Sequence, residues 1–240
     1  MKRLKKTAAL LLVSCVILLS LFLPRLVFDF QQETLYNQVK TCPAESVQLT
    51  PAPDLLDRLQ LLNGSYTMTE LSTGDKRSAE QAQEAAQTAL DTVLAPVFSQ
   101  LDADSFAPLS VTPYLLLSKD HASSAVIWEC MLIDQTSGSF VVFQLDDSTG
   151  LMLSFQLAGP PVTSSDVSDT LGNLLADYYE LTLDDISVKD YYDLADQSSC
   201  IITLKNDSGE SVDCPLLLLG DVVQFNYEMG GSSSISVMEA

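Results

Sequence analysis

Phe140-Val141-Val142-Phe143-Gln144-Leu145-Asp146-Asp147-Ser148-Thr149-Gly150-Leu151-Met152-Leu153-Ser154-Phe155 is two apolar runs of strand length around a turn. Asp, Ser, Thr and Gly are the residues that bond their own backbone or tolerate a left-handed conformation. A connection this short cannot cross over a sheet, so the two runs are antiparallel. Upstream, Ala125 to Ile133 alternates, with Val126, Trp128, Cys130 and Leu132 on one face. Gln135-Thr136-Ser137-Gly138 is a second turn, and Tyr114-Leu115-Leu116-Leu117 is an earlier strand. The spacing predicts a four-stranded meander.

Before the meander the apolar period is 3.6 rather than 2. Ser78 opens a helix, and Ser78 with Gln81 matches a capping box. Ala82, Ala85, Ala86, Ala89, Leu90, Val93, Leu94, Val97 and Leu101 fall on one stripe. Its alanines allow close approach to a sheet, and Pro96 predicts a kink or the end of the regular part. Residues 29–77 read as a stalk or linker, broken at Thr50-Pro51-Ala52-Pro53. It carries a short helix from Asp54 to Leu62 stopped by Asn63-Gly64, and a strand at Tyr66-Thr67-Met68-Thr69.

After the meander, Gly159-Pro160-Pro161 and Thr163-Ser164-Ser165 mark a linker. A second helix runs from about Asp166 to Glu180, with Val167, Leu171, Leu174, Leu175 and Tyr178 on one stripe. Strands are expected at Val188–Leu194, Cys200–Lys205, Val212–Leu219 and Val222–Tyr227. Pro215 places the third at a sheet edge or a bulge. Leu132 and Asp134 match Leu204 and Asn206, Ser137-Gly138 matches Ser208-Gly209, and Gly150 and Phe155 match Gly220 and Phe225. The offsets are 70 to 72 residues, a degenerate repeat. The fold class expected is therefore α+β: an N-terminal transmembrane helix, then two helix-plus-antiparallel-meander units. The units fall at 78–159 and 160–229, with a Gly/Ser-rich tail at 230–240 expected to be disordered.

The transmembrane expectation comes from residues 1–28. Lys2, Arg3, Lys5 and Lys6 precede a charge-free apolar run from about Ala8 to Leu23, and Arg25 follows it. A bilayer core of ~30 Å needs about 20 helical residues, and roughly 17 suffice. The basic excess before the run keeps the N-terminus cytoplasmic. Ser20-Leu21-Phe22-Leu23-Pro24-Arg25 offers no small-x-small cleavage site. Leu12-Val13-Ser14-Cys15 resembles a lipobox that would acylate Cys15, yet Val16-Ile17-Leu18-Leu19 continues the apolar run. The expected location is the cell membrane, single-pass, with the bulk extracytoplasmic.

The remainder is strongly acidic. Seven basic against 32 acidic residues follow Arg25, a formal charge of −25. That charge repels nucleic acid and anionic membrane surfaces. Of five cysteines, Cys15 is in the apolar run, and Cys42, Cys130, Cys200 and Cys214 follow it. Cys200 and Cys214 lie nearly symmetric about Asn206-Asp207-Ser208-Gly209, which makes them the candidate disulfide.

Catalytic chemistry is sparse. His121, the only histidine, sits in the polar stretch Lys119 to Ser124 and reads as an exposed loop residue, whose use in a triad would require distant partners; no Cys-x-x-Cys occurs, so a structural zinc site is not expected. Asp146/Asp147 and Asp184/Asp185 are adjacent pairs whose side chains point apart, which suits turns better than paired acid–base work. Asp134, Asp146, Asp147 and Asp207 would ligate calcium only if their loops converged, and no EF-hand spacing is present. No phosphate-cradling glycine loop is found. No catalytic, cofactor-binding or metal residue is assigned. Tyr178, Tyr179, Tyr191 and Tyr192 are the candidate interface residues, because one ring of each adjacent pair must point outward.

The helix, the early Trp128, the Asp146-Asp147-Ser148-Thr149-Gly150 turn and the closing Leu151-Met152-Leu153-Ser154-Phe155 together resemble a PepSY-type module. The likeness covers 78–159, and 165–228 more weakly. It implies a non-catalytic module that regulates or inhibits another envelope protein, such as a sensor kinase, a peptidase or an anti-sigma system. The anchored tandem layout is similar to bacterial membrane-anchored regulators of cell-wall sensor kinases. The expected function is thus an extracytoplasmic regulator or scaffold. Alternatives are a small-ligand or cation-binding protein, and an enzyme without a recognisable motif.

Overall fold

In the computed structural model, residues 51–119, 123–159, 167–188 and 197–226 are described. Asp54 caps helix α1 (Leu55–Asn63) by accepting the Asp57 amide. Strand β1 (Tyr66–Glu70) follows. The capping box of Ser78 and Gln81 forms at the start of α2 (Ala79–Ala89). The chain then widens into a π-helical turn at Leu90–Leu94 and ends in a short turn at Ala95–Val97. Pro96 has no N–H to donate to the carbonyl four residues back, and the looser turn just ahead of it absorbs that loss.

Strands β2 (Phe106–Ser118), β3 (Ser124–Asp134), β4 (Phe140–Asp146) and β5 (Met152–Ala158) form the first meander. Helix α3 (Val167–Tyr179) leads into β6 (Thr182–Val188), β7 (Gln197–Lys205), β8 (Ser211–Leu219) and β9 (Val222–Phe225). The strand order is β1-β2-β3-β4-β5-β9-β8-β7-β6, antiparallel throughout.

That order corrects the expected fold class. The two meanders are not separate units; they share one nine-stranded sheet and one buried core. Their last strands join, with Phe155 opposite Phe225 and Leu157 opposite Val223. Phe155 and Phe225, which the repeat offset of 70 sets as equivalents, stack with ring centroids 5.8 Å apart. A hydrogen-bonded seam with two buried phenylalanines removes the water-filled gap that separate units would need. Among the described residues, no helix is long and apolar enough to cross a membrane. Against the expected transmembrane helix, single-pass topology and cell-membrane location, the described residues thus supply no span. The apolar run 8–23 and Cys15 themselves lie outside the described residues, as do Cys42 and the tail from 230.

Three strand expectations also change. β2 starts at Phe106, eight residues earlier than its apolar run, and passes Pro108 at a register shift. The strand expected at Val188–Leu194 is instead Thr182–Val188, and residues 189–196 lie outside the described residues. Pro215 lies in a central strand with unbroken register to Ile201, not at an edge or bulge. Its carbonyl accepts the Asn226 amide on the β9 side. The ladder paired with β9 begins at Leu216, so the missing N–H faces the region past the β9 strand and deprives no neighbour.

The sheet has two unlike faces. On one, Trp128, Cys130, Leu132, Phe143 and Phe155 are fully or almost fully buried under α2 and its π turn. Helix α3 continues that layer over β6 and β7, with Gly172 against Leu183 and Ile186. Among the described residues, the other face is covered by α1 at one end only, over Asp146 and Asn226. At the other end, two cross-strand rows run over β3-β4-β5-β9-β8. One is Ile133, Phe140, Ala158, Val222 and Leu219. The next is Met131, Val142, Gln156, Gln224 and Leu217.

A single sheet predicts a single unfolding transition. Phe225→Ala, in the second meander, should cost about 3–5 kcal/mol. It should lower the urea midpoint seen by Trp128 fluorescence, in the first meander, as much as the midpoint seen by far-ultraviolet circular dichroism. Separate transitions for the two probes would contradict the shared core.

Candidate functional site

The two turn carboxylates carry the densest polar network among the described residues. Alternation sends them to opposite faces of the sheet. Asp147, on the helix-covered face, accepts the Trp128 indole N–H on Oδ1 at 2.7 Å. Oδ1 also accepts the Arg77 amide at 3.1 Å, and Oδ2 accepts the amides of Asp75 and Lys76 at 3.1 and 2.6 Å. Three successive amides around one carboxylate form a backbone nest for an anion, and here the chain supplies the anion itself. The nest needs Gly74: a Cβ there would sit 2.6 Å from both Asp147 Oδ1 and the Trp128 ring.

Asp146, on the α1 face, meets the Arg58 guanidinium at 2.5 Å. The side chains are 15% and 3% exposed, so the pair is largely dry. Asp146 Oδ2 also accepts the Thr149 amide and the hydroxyls of Ser148 and Thr149. Arg58 Nε donates to the Ala52 carbonyl. Arg77 closes the opposite side of the turn, donating from Nη2 to the Thr149 carbonyl at 2.5 Å. Its guanidinium lies against Gly150, whose φ of +76° and missing Cβ leave room for it.

The tyrosines form a second internal joint. Tyr179 donates its hydroxyl to the Met152 carbonyl at 2.5 Å, and Tyr178 accepts the Met152 amide at 3.0 Å. Burial pushes the ionisation of both hydroxyls up, that of Tyr179 far up. These two candidate interface residues tie α3 to β5, with Tyr179 buried and Tyr178 half-buried. Tyr191 and Tyr192 lie outside the described residues.

The candidate disulfide is corrected: Cys200 and Cys214 are free. Cys214 is opposite Ile202 and Cys200 opposite Leu216, so the thiols are staggered by two residues across the ladder. Diagonal neighbours lie about 7–8 Å apart, beyond the usual reach of a disulfide. Burial pushes the Cys130 thiol up to about 12 and raises Cys200 and Cys214 as well. All three stay protonated and poorly nucleophilic at neutral pH.

Other sequence candidates do not converge. Asp134 bonds its own turn through Ser137 and the Thr136 amide, and the same hydrogen bonds hold its carboxyl below the usual range. Asp207 lies in the β7–β8 turn, and Lys205 reaches toward Asp184 across 3.9 Å. No group of three or more metal-ligating side chains occurs among the described residues. His121 lies outside them. An open groove of about 570 Å³ runs between α1 and the β2–β3 end, lined by Asp57, Gln60, Ser65 and Lys119 among others.

The sequence did not single out Arg58, Gly74 or Arg77. Arg58 is an isolated cation in DLLDRLQLL, and nothing local marks a partner 88 residues away. The one available signal was charge scarcity: three of the five described basic residues, Arg58, Lys76 and Arg77, serve the aspartate turn by side chain or amide.

No family model, curated protein or solved structure matches the chain.

Removing Asp146 would leave Arg58 buried and unpaired. Asp146→Ala should therefore cost about 3–5 kcal/mol in urea unfolding. Adding Arg58→Met should restore part of that loss, because no orphaned charge then remains. Additive losses would show that the pair is not coupled.

Proposed function

We propose that this chain is a non-catalytic regulatory or scaffolding module that works by binding another protein. The observation that carries the proposal is where the chemically capable groups are spent. Asp146, Asp147, Arg58 and Arg77 hold the β4–β5 turn to the segments before α2. Tyr178 and Tyr179 hold α3 to β5, and the three described thiols are buried and protonated. An acid, base or nucleophile at work must reach a substrate and change its proton state, and these groups among the described residues are instead buried or bonded inside the fold.

A broad antiparallel sheet with helices on one face and a partly open second face suits recognition by surface. The partners proposed are those implied by the sequence resemblance: a sensor kinase, a peptidase or an anti-sigma system.

Tagged full-length chain should co-purify reproducibly with one protein, and that protein, purified, should bind it saturably in calorimetry. A turnover activity of the purified chain that Asp146→Asn abolishes without unfolding it would overturn the proposal and make the turn an active site.

A further inference from the structure

We infer that the open end of the second sheet face, the two rows across β3-β4-β5-β9-β8, docks an amphipathic helix with basic flanks supplied by the protein partner proposed above. The first row is wholly apolar: Ile133, Phe140, Ala158, Val222 and Leu219. In the second, Met131 and Val142 continue the apolar surface, and Gln156 and Gln224 add two amides near its centre. Apart from Leu217 these side chains are half-buried, while their counterparts on the other face are almost all closed over by α2 or α3. Antiparallel sheets commonly leave one face to solvent, but that face is then polar. Here it is not.

The same face shows what kind of element fits. At its other end it is covered by α1, which buries Leu59 and Leu62 and bonds the sheet through Arg58 and the Leu59 carbonyl. A polar strip, Glu129 with Gln144 and Ser154, separates the α1-covered end from the open rows. Five strands span roughly 19 Å at ~4.8 Å spacing, and two rows are about 7 Å apart. A helix about 10 Å wide and about 13–15 residues long covers that area.

Charge selects the flanks. The rows contain no Lys or Arg, and Glu129 and Asp221 border them. The five described basic residues, Arg58, Lys76, Arg77, Lys119 and Lys205, all lie toward the opposite end of the sheet. A second copy of this chain is a poor occupant, because two chains of net charge −20 would meet acidic rim to acidic rim.

The test uses the full-length chain and two synthetic 15-residue helical peptides with the same leucine stripe, one flanked by Lys and one by Glu. Amide chemical-shift mapping should place the Lys-flanked peptide on β3, β4, β5 and β9. The Glu-flanked peptide should bind roughly tenfold more weakly or worse. Ala158→Glu and, separately, Val142→Glu should each weaken the Lys-flanked peptide by roughly tenfold. Two variants are used because either could disturb folding, and unchanged Trp128 fluorescence certifies the fold. Gln83→Asp, exposed on α2 across the sheet from the rows, should leave binding unchanged. Equal binding of both peptides, shifts confined to other surfaces, or dimerisation of the chain through these rows in sedimentation would each overturn the inference. A partner that binds the wild type and Ala158→Glu equally well would sink the docking surface while the protein-binding role stood. A chain that binds no protein at all would sink both.

Discussion

The fold depends on a constraint at one hairpin turn. Neighbouring side chains on an extended backbone project to opposite faces, so Asp146 and Asp147 cannot serve the same partner. Each carboxylate is buried, and each must find donors on its own side of the sheet or incur a large desolvation cost. Asp147 finds them in the Gly74–Arg77 nest and in Trp128. Asp146 finds them in Arg58 and in the turn itself. Two segments far earlier in the chain are thereby fixed at one corner. One lies on each face, and the second of them aims directly into α2.

The second organising feature is the β5–β9 seam. Two meanders, each ending on an unpaired strand, would expose two edges that invite pairing with other chains. Joining the final strands antiparallel closes both edges at once and puts Phe155 against Phe225. It also lays the two meanders' inner faces side by side, so α2, its π turn and α3 cover one continuous surface. The Tyr178 and Tyr179 hydroxyls, fastened to Met152 next to the seam, tie the second helix to the first meander. The open rows on the far side follow from the same join. They cross from β3 to β8 and exist as one surface only because β5 and β9 are neighbours.

Local features were legible in the sequence, and long-range ones were not. The Ser78/Gln81 cap, the α1 stop at Gly64 and the strand alternation around Trp128 are near-neighbour chemistry, and they sit within a few residues of where they were read. The first half of β2 was missed because Pro108 and Pro113 interrupt its pattern. One sits at a register shift, and the other gives its carbonyl to Leu71. β6 was placed too late because Asp184 and Asp185 break its alternation. They are tolerated because that strand is at the sheet edge and they are exposed. The seam and the Arg58–Asp146 pair join residues 70 and 88 positions apart, and no local period encodes such a contact. The thiol pair failed by a register offset of two residues, which symmetry about a turn cannot resolve.

The claim that the turn carboxylates hold both faces is tested most directly by native-state hydrogen exchange on Asp147→Asn. An amide side chain keeps the size of the carboxylate but loses the charge and half of the acceptor capacity that the nest requires. The amides of Asp75, Lys76 and Arg77 should exchange roughly tenfold faster or more, while the β7 and β8 amides keep their protection. Unchanged protection of those three amides would contradict the account, because the loop would then be held by something other than Asp147.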